Sequence, residues 1–219
     1  MEDDYRHKGL RHQMLTLLQE KGIHAQEVLR ALNHVPRHLF IDSTFEELAY
    51  EDKALPIEEG QTISQPYTVA YQTALLEVKA GQKILEIGTG SGYQAAILAV
   101  LGAEVYTIER IAALYNSTSK RLVQLGLGEH IKTYLGDGHL GLADEAPFDS
   151  ILITAAAASL PTALLEQLKI GGVLVVPINE KDDKNLQRML RIRRLNNLEY
   201  SEEKLDYFRF VPLLPGIKT

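Results

Sequence analysis

The sequence contains no cysteine and no tryptophan. Without cysteine the chain cannot form a disulfide, hold a metal through thiolates or use a cysteine nucleophile. No apolar run approaches the roughly 18 residues that a membrane-spanning helix needs. The first residues, MEDDYRHKGLRHQ, are charged where a signal peptide is apolar. These absences favour a cytoplasmic protein that does not enter a membrane.

An excess of basic charge is missing as well. The 219 residues include 23 basic and 29 acidic side chains, a net charge of −6. Without a basic domain, binding of nucleic acid through phosphate neutralisation is not expected. One basic cluster alternates with apolar residues, which favours the solvated face of a strand over a local patch for an anion or nucleic acid. Its members are Arg188, Arg191, Arg193 and Arg194.

Apolar segments of strand length alternate with helical segments from residue 83 onward. Such alternation predicts an α/β fold, a doubly wound and Rossmann-like sheet that is mostly parallel, with helices on both faces. The predicted strands cover 83–87, 104–109, 131–138, 149–156 and 172–178. The predicted helices between them cover 91–102, 111–126 and 161–169.

The two ends of the chain follow other patterns. Helical spacing of apolar residues predicts helices over 10–20 and 25–32, and Pro36 ends the second one. The segment 50–66 is predicted as a loop with short extended pieces. Near the carboxyl end, 186–194 and 205–213 read as an antiparallel edge hairpin. We therefore expect one domain over 1–219, which comprises N-terminal helices and an active-site loop (1–80), a cofactor-binding core (81–180) and C-terminal strands (181–219).

The most informative segment is the glycine-rich loop Gly88-Thr89-Gly90-Ser91-Gly92, which follows a predicted strand. Glycines between a strand and a helix let the backbone turn tightly and approach a ligand closely. The pattern G-x-G-x-G lacks the third glycine of a dinucleotide fingerprint, and no Gly-Lys-Ser/Thr follows as in a P-loop. A ligand-binding loop is favoured over a turn without a ligand.

Two acidic residues end the next predicted strands. Glu109 lies 21 residues after Gly88, where an acid can accept hydrogen bonds from a ribose diol. Alone it would be interpreted as a solvated strand end, but the glycine loop favours ribose binding. Asp137 ends the third strand and could accept from the exocyclic amine of adenine, or form only an Asp-Gly turn.

The loop and its acid resemble class I methyltransferases that use S-adenosylmethionine. Two segments narrow the resemblance to protein-L-isoaspartate O-methyltransferases, namely Gly60-Gln61-Thr62-Ile63-Ser64-Gln65-Pro66-Tyr67 and Leu85-Glu86-Ile87-Gly88-Thr89-Gly90-Ser91-Gly92-Tyr93-Gln94. Further segments fit the same family in the same order, over about residues 15–215. They are Val35-Pro36-Arg37 with Phe40, Ala54-Leu55-Pro56-Ile57, Gly136-Asp137-Gly138, Thr154-Ala155-Ala156 and Val211-Pro212-Leu213.

The resemblance implies methyl transfer from S-adenosylmethionine to the carboxylate of L-isoaspartyl and D-aspartyl residues in damaged proteins and peptides. It implies a monomer whose catalytic residue is Ser64. The implied substrate-binding residues are Ser64, Pro66, Val211 and Pro212. The implied cofactor-binding residues are Ile63, Glu86, Gly88, Thr89, Gly90, Gly92, Glu109, Arg110, Asp137 and Gly138. Ser64 could instead only satisfy polar groups of its own loop.

Several departures and alternatives accompany this interpretation. Many family members have two prolines where Ala157 and Ala158 stand, and bacterial relatives often have tryptophan where His139 stands. His34 and His38 have the spacing of a metal pair on a helix, but Pro36 breaks that helix, so we expect surface histidines and no metal. The rival functions are a methyltransferase for RNA or a small molecule, a non-catalytic S-adenosylmethionine-binding protein and a nicotinamide oxidoreductase.

Overall fold

The computed structural model describes residues 3–183 and 185–219. Its α-helices lie mainly in the N-terminal half and between the strands of the central sheet. They are α1 (Tyr5–Glu20), α2 (Gln26–His34), α3 (Pro66–Leu76), α4 (Tyr93–Val100), α5 (Ala112–Gln124) and α6 (Thr162–Glu166). None of these helices is long and apolar enough to cross a membrane.

Seven strands form the central sheet, and two short strands form a separate pair. The short pair is β1 (Leu55–Pro56) and β2 (Thr62–Ile63). The sheet has the order β5-β4-β3-β6-β7-β8-β9, in which the first five are parallel and the last two are antiparallel. Its strands are β3 (Lys83–Ile87), β4 (Glu104–Glu109), β5 (Ile131–Leu135), β6 (Phe148–Ile153), β7 (Leu168–Asn179), β8 (Gln187–Arg194) and β9 (Tyr200–Phe208). The predicted fold class is confirmed.

Successive residues of each buried strand pack on opposite faces of the sheet, as the period of two requires. Ile84 and Val105 join the apolar cluster that includes α1 to α4. Leu85 and Tyr106 join the cluster on the other face, together with Leu164 of α6. Burial on both faces explains why these strands are apolar without alternation.

Helix α3 is an element that hydrophobic periodicity does not indicate. Its buried residues include Thr68, Val69, Gln72 and Leu76, which lie on several sides of the helix. A helix buried nearly all round has no polar face to set against an apolar one, so the 3.6-residue signal is lost. Its first residue is Pro66, at the helix start that proline favours. The helix therefore begins two residues after Ser64.

Three predicted boundaries near the carboxyl end were wrong. The last strand is Tyr200–Phe208, five residues earlier than the predicted 205–213. As the edge strand it exposes Ser201 to Lys204, so no apolar alternation marks its start. The helix predicted over 161–169 ends at Glu166, because the chain enters β7 at Leu168 and pairs there with Phe148.

The basic cluster lies on β8, between β7 and β9. Arg191 binds Glu77 at 2.6 Å, and Arg193 binds the same carboxylate at 3.1 Å. Arg194 donates to the carbonyl oxygens of Glu166 and Leu168. These contacts use the guanidinium groups within the fold, which agrees with the strand interpretation rather than a nucleic-acid patch.

Candidate active site

A cleft with about 960 Å³ of empty volume opens at the carboxyl ends of the parallel strands. This is where open α/β sheets bind nucleotides. The cleft gathers most of the site residues predicted from the sequence, from five separate stretches of chain. Those that line it are Ile63, Ser64, Glu86, Gly88, Thr89, Gly90, Glu109, Arg110, Gly138, Val211 and Pro212. Pro66, Gly92 and Asp137 do not line the cleft as the structure stands.

The glycine loop has the backbone that its sequence requires. Gly88, Gly90 and Gly92 have φ angles of 98°, 51° and 85°, a region that side chains other than glycine rarely adopt. A Cβ atom at Gly88 would lie 2.6 Å from Oγ1 of Thr154. That hydroxyl donates to the carbonyl oxygen of Gly88 at 2.8 Å. The loop is thus both turned and closely packed, and its backbone remains open to a ligand.

Glu109 joins the end of β4 to the glycine loop. One carboxylate oxygen accepts from the backbone N–H of Gly90 at 3.0 Å, and the other accepts from Ile111 at 2.9 Å. The side chain is only 5% exposed, yet it lines the cleft. Each carboxylate oxygen has a second lone pair. Glu109 can therefore hold the loop in place and still accept from a bound diol.

Glu86 lies beneath the loop in a chain of hydroxyl groups. The hydroxyl of Thr107 donates to Oε2 of Glu86 at 2.6 Å, so the Oγ1 of Thr107 must accept from Thr89, 2.7 Å away. The other oxygen of Glu86 is buried without a hydrogen-bond partner among the described residues. Burial raises the pKa of Glu86 to about 8, and the nearby Glu109 raises it further while Thr107 opposes the change. An unpartnered acceptor at the wall of the cleft suits a ligand with donor groups.

The buried Glu86 predicts a pH-dependent stability. Between its ordinary pKa of 4.5 and its folded value of about 8, the folded chain keeps a proton that the unfolded chain releases. The free energy of unfolding should therefore fall across this range as the pH rises. Glu86→Gln removes that loss, by up to a few kcal/mol, since a tenfold change in protonation is worth about 1.4 kcal/mol.

Urea unfolding without cofactor, at about pH 5 and about pH 8.5, tests this prediction. The variant should gain stability relative to the parent chain at the higher pH alone. An equal loss in both proteins between the two pH values would show that Glu86 is ionised in the folded state.

Ser64 follows β2, whose pairing with β1 fixes the direction of the chain at the cleft. Its side chain is half-buried and lines the cleft. In residues 3–183 and 185–219 the hydroxyl has no hydrogen-bond partner, although the loop offers several backbone groups. The alternative that Ser64 only satisfies its own loop therefore has no support in the geometry, and the hydroxyl is available to a ligand.

Asp137 is engaged away from the cleft. Its Oδ1 accepts from the backbone N–H of His139 at 2.9 Å, and its Oδ2 accepts from Gly216 at 2.7 Å. Burial alone would raise the pKa of Asp137, but these hydrogen bonds outweigh it and the pKa lies below its ordinary value. His139, which stands where relatives often have tryptophan, thus contacts the carboxylate that the resemblance assigns to adenine.

The segment around Val211 and Pro212 is held beside the end of β6. The N–H of Ala156 donates to the carbonyl oxygen of Val211 at 2.7 Å. The next residue, Ala157, donates its own N–H to Pro177 at 2.9 Å. Proline has no N–H, so a proline at position 157 would lose this bond. The departure at Ala157 therefore belongs to the attachment of β6 to β7.

One histidine prediction was wrong. His38 is fully buried, because its ring stacks on that of His7 at 3.8 Å between centroids and 10° between planes. Burial lowers the pKa of His38, and the neighbouring His7 lowers it further. His34 is exposed, as predicted. The spacing of residues 34 and 38 held no information on His7, which comes from α1.

Asp3, His7 and His38 place possible ligand atoms within 4.8 Å of one another. A metal ion lies near the plane of each imidazole that binds it, and two parallel stacked rings share no such point. Asp3 is also occupied, since both of its oxygens accept from the guanidinium of Arg11 at 2.9 Å. This arrangement of the cluster suits packing of α1 rather than coordination.

The sequence gave no role to two polar residues that shape the cleft. Thr107 links Thr89 to Glu86, and Thr154 fixes the carbonyl of Gly88. A signal was present for Thr107, because it is the one hydroxyl residue in the apolar segment EVYTIE. Its partners were not predictable, since they come from other strands and loops.

A parallel sheet with a glycine loop and a strand-end acid defines the class I methyltransferases. The family model described as protein-L-isoaspartate(D-aspartate) O-methyltransferase (PCMT) matches residues 9–218. This chain belongs to that family. A protein-L-isoaspartate O-methyltransferase from Flavobacterium psychrophilum is 52% identical over 215 residues, which cover 98% of both chains.

Solved structures show the same relationship. One protein-L-isoaspartate O-methyltransferase superimposes with a TM-score of 0.85 at 26% identity, covering 95% of this chain and 67% of that chain. A Plasmodium falciparum methyltransferase assigned to the same family gives a TM-score of 0.80 at 26% identity, covering 95% and 98%. That structure contains S-adenosyl-L-homocysteine. The predicted cofactor, S-adenosylmethionine, is that of the family.

Proposed function

We propose that this chain methylates the carboxylate of L-isoaspartyl and D-aspartyl residues in damaged proteins and peptides, using S-adenosylmethionine. The methyl ester then closes to a succinimide, whose hydrolysis partly restores a normal linkage. The relatives that bear this activity as their name match nearly the full chain. The observation that carries the proposal is the free hydroxyl of Ser64 in the cleft that holds the glycine loop.

The residues divide the cleft into two ends. The adenosine end comprises Glu109, Arg110, Asp137 and Gly138, at the ends of β4 and β5. The turn at Gly138 needs glycine, because a Cβ atom there would overlap Cγ2 of Ile87. The methionine end lies over the rest of the loop and its supports. We assign it Ile63, Glu86, Gly88, Thr89, Gly90 and Gly92.

The substrate end lies on the opposite side, where Ser64 meets the segment that contains Val211 and Pro212. Pro66 does not line the cleft, and we assign it the indirect role of starting α3 directly after the Ser64 loop. This arrangement leaves a peptide two flanking walls, from distant parts of the chain. An extended peptide could lie between them with its side-chain carboxylate near Ser64.

The proposed reaction does not require a general base. The bound cofactor supplies a methyl group already activated by its sulfonium, and the acceptor carboxylate is ionised at pH 7. The protein must align the acceptor oxygen and exclude water from it. The Ser64 hydroxyl donates a hydrogen bond to one carboxylate oxygen and so directs the other. This role explains why the cleft contains no serine–histidine pair.

Two peptides that differ at one residue test the proposed function. One contains L-isoaspartate and the other L-aspartate at the same position, and each is incubated with labelled S-adenosylmethionine. We expect base-labile label on the isoaspartyl peptide alone, because the extra methylene of the main chain moves the carboxylate. Label on neither peptide, with S-adenosyl-L-homocysteine still bound in calorimetry, would assign the enzyme another acceptor.

We further propose that the protein acts as a monomer and that 1–80, 81–180 and 181–219 fold as one unit. The cleft draws residues from all three segments, which supports a single unit. Light scattering during gel filtration measures the mass directly. A mass of twice 24.5 kDa would contradict the monomer.

A further inference from the structure

The C-terminal residues Pro215–Lys218, here called the strap, cross the adenosine end of the cleft. They follow Leu213 and Leu214, which line the cleft itself. Arg110 donates from Nε to the carbonyl of Gly216 at 3.0 Å and from its terminal nitrogen to that of Pro215 at 3.3 Å. The strap thus rests on a residue that we assign to cofactor binding.

Backbone hydrogen bonds continue the attachment along the end of β4. The N–H of Lys218 donates to the carbonyl of Arg110 at 2.8 Å, and its carbonyl accepts from Ala112 at 2.9 Å. These bonds place Lys218 beside Ile111 as an isolated parallel bridge. The strap is therefore positioned by main-chain geometry as well as by side chains.

The far end of the strap reaches the segment that leads to Ser64. The ammonium of Lys218 binds a carboxylate oxygen of Glu59 at 2.8 Å. Glu59 has φ of 60°, the left-handed region that non-glycine residues adopt at some cost. Glu59 lies three residues before β2. The strap consequently joins the two sides of the cleft.

Asp137 anchors the near end. Its Oδ2 accepts from Gly216 at 2.7 Å, and its Oδ1 accepts from the backbone and ring nitrogens of His139 at 2.9 and 3.1 Å. Gly216 has φ of 73°, so the turn that presents this N–H favours glycine. Asp137 itself does not line the cleft. Its ordered contacts lead to the strap rather than into the cleft.

We propose that the strap closes the adenosine end of the cleft and that Asp137 is a positioning residue, which acts on cofactor binding through Gly216. This inference rests on the proposed use of S-adenosylmethionine and concerns the same site. Loss of the strap opens that end to water and frees the Glu59 segment. The carboxylate of Asp137 then has nothing to hold, and its replacement no longer matters to the cofactor.

A double-mutant cycle tests the proposal. The four proteins are the parent chain, Asp137→Asn, a chain that ends at Leu214 and the combination of both changes. Calorimetry measures the Kd of S-adenosyl-L-homocysteine for each. We expect each single change to raise the Kd about fivefold or more, as loss of a charge-assisted hydrogen bond does. The combination should bind no more weakly than the shortened chain.

A chain that lacks Thr219 alone is the matched control, since the strap contacts described above all involve residues before it. It should bind as the parent does. Thermal unfolding of all five proteins checks that the core is intact, and Lys218→Met provides a second strap variant without a truncation. This variant should raise the KM for S-adenosylmethionine and leave kcat unchanged.

Two results would overturn the proposal. If Asp137→Asn raises the Kd by the same factor in the shortened chain, the carboxylate acts on the cofactor directly. If the shortened chain binds as tightly as the parent, the strap does not close the site. Either result is separate from the proposed function, which is judged by methyl transfer to the isoaspartyl peptide in the parent chain.

Discussion

Replacing Ser64 by alanine is expected to lower kcat/KM for an isoaspartyl peptide by roughly one to two decades, while the affinity for S-adenosyl-L-homocysteine stays the same. A hydrogen bond to a charged group is worth about 1.5–3 kcal/mol, which corresponds to that loss. The hydroxyl has no partner among the described residues, so its removal leaves no protein group unpaired. Initial rates with saturating S-adenosylmethionine measure the effect.

Ser201 provides a control, because it is an exposed serine on the edge strand β9. Ser201→Ala should have the activity of the parent chain. A rate for Ser64→Ala equal to that of the control would remove Ser64 from the reaction. In that case the alignment of the carboxylate would fall to backbone groups of the same loop, and Ser64→Gly would also be active.

The second large effect is expected for Glu109→Ala, which should raise the Kd of S-adenosyl-L-homocysteine by about one to two decades. The change removes the acceptor for the N–H groups of Gly90 and Ile111 and the proposed acceptor for the ribose. An unsatisfied buried donor costs about 1–3 kcal/mol. Isothermal calorimetry measures the change directly.

Glu104→Ala is the matched control, since Glu104 is an exposed acid at the start of the same strand. It should leave the Kd unchanged. An analogue of S-adenosyl-L-homocysteine without the ribose 2′-hydroxyl separates the two roles of Glu109. If Glu109 binds the diol, the parent chain prefers the full ligand and Glu109→Ala does not. A preference that survives the substitution would restrict Glu109 to support of the loop.

The core of the fold was predictable because its signals are local. The strands 83–87 and 104–109 were predicted with the bounds that the structure has, since each is a short apolar run closed by turn residues. The glycine loop likewise follows from residue types that only a tight turn between a strand and a helix requires. Burial on both faces of the sheet made these strands readable.

The elements that were mispredicted depend on neighbours that are distant in the sequence. The start of β9 carries polar residues and is a strand only because β8 lies beside it. His38 has the sequence context of a surface residue, but α1 covers it with His7. Helix α3 has no polar face because other elements surround it. In each case the tertiary environment decided what the local pattern left open.

The candidate site divides in the same way. The sequence by itself determined the class of fold, the glycine loop, the acid at the end of β4 and the serine loop that identifies the family. Only the tertiary structure decided that these residues share one cleft, that the Ser64 hydroxyl is free and that Asp137 binds Gly216, which lies 79 positions away. The physical reason is that periodicity and turn chemistry act over a few residues, whereas hydrogen-bond partners are chosen when the strands assemble.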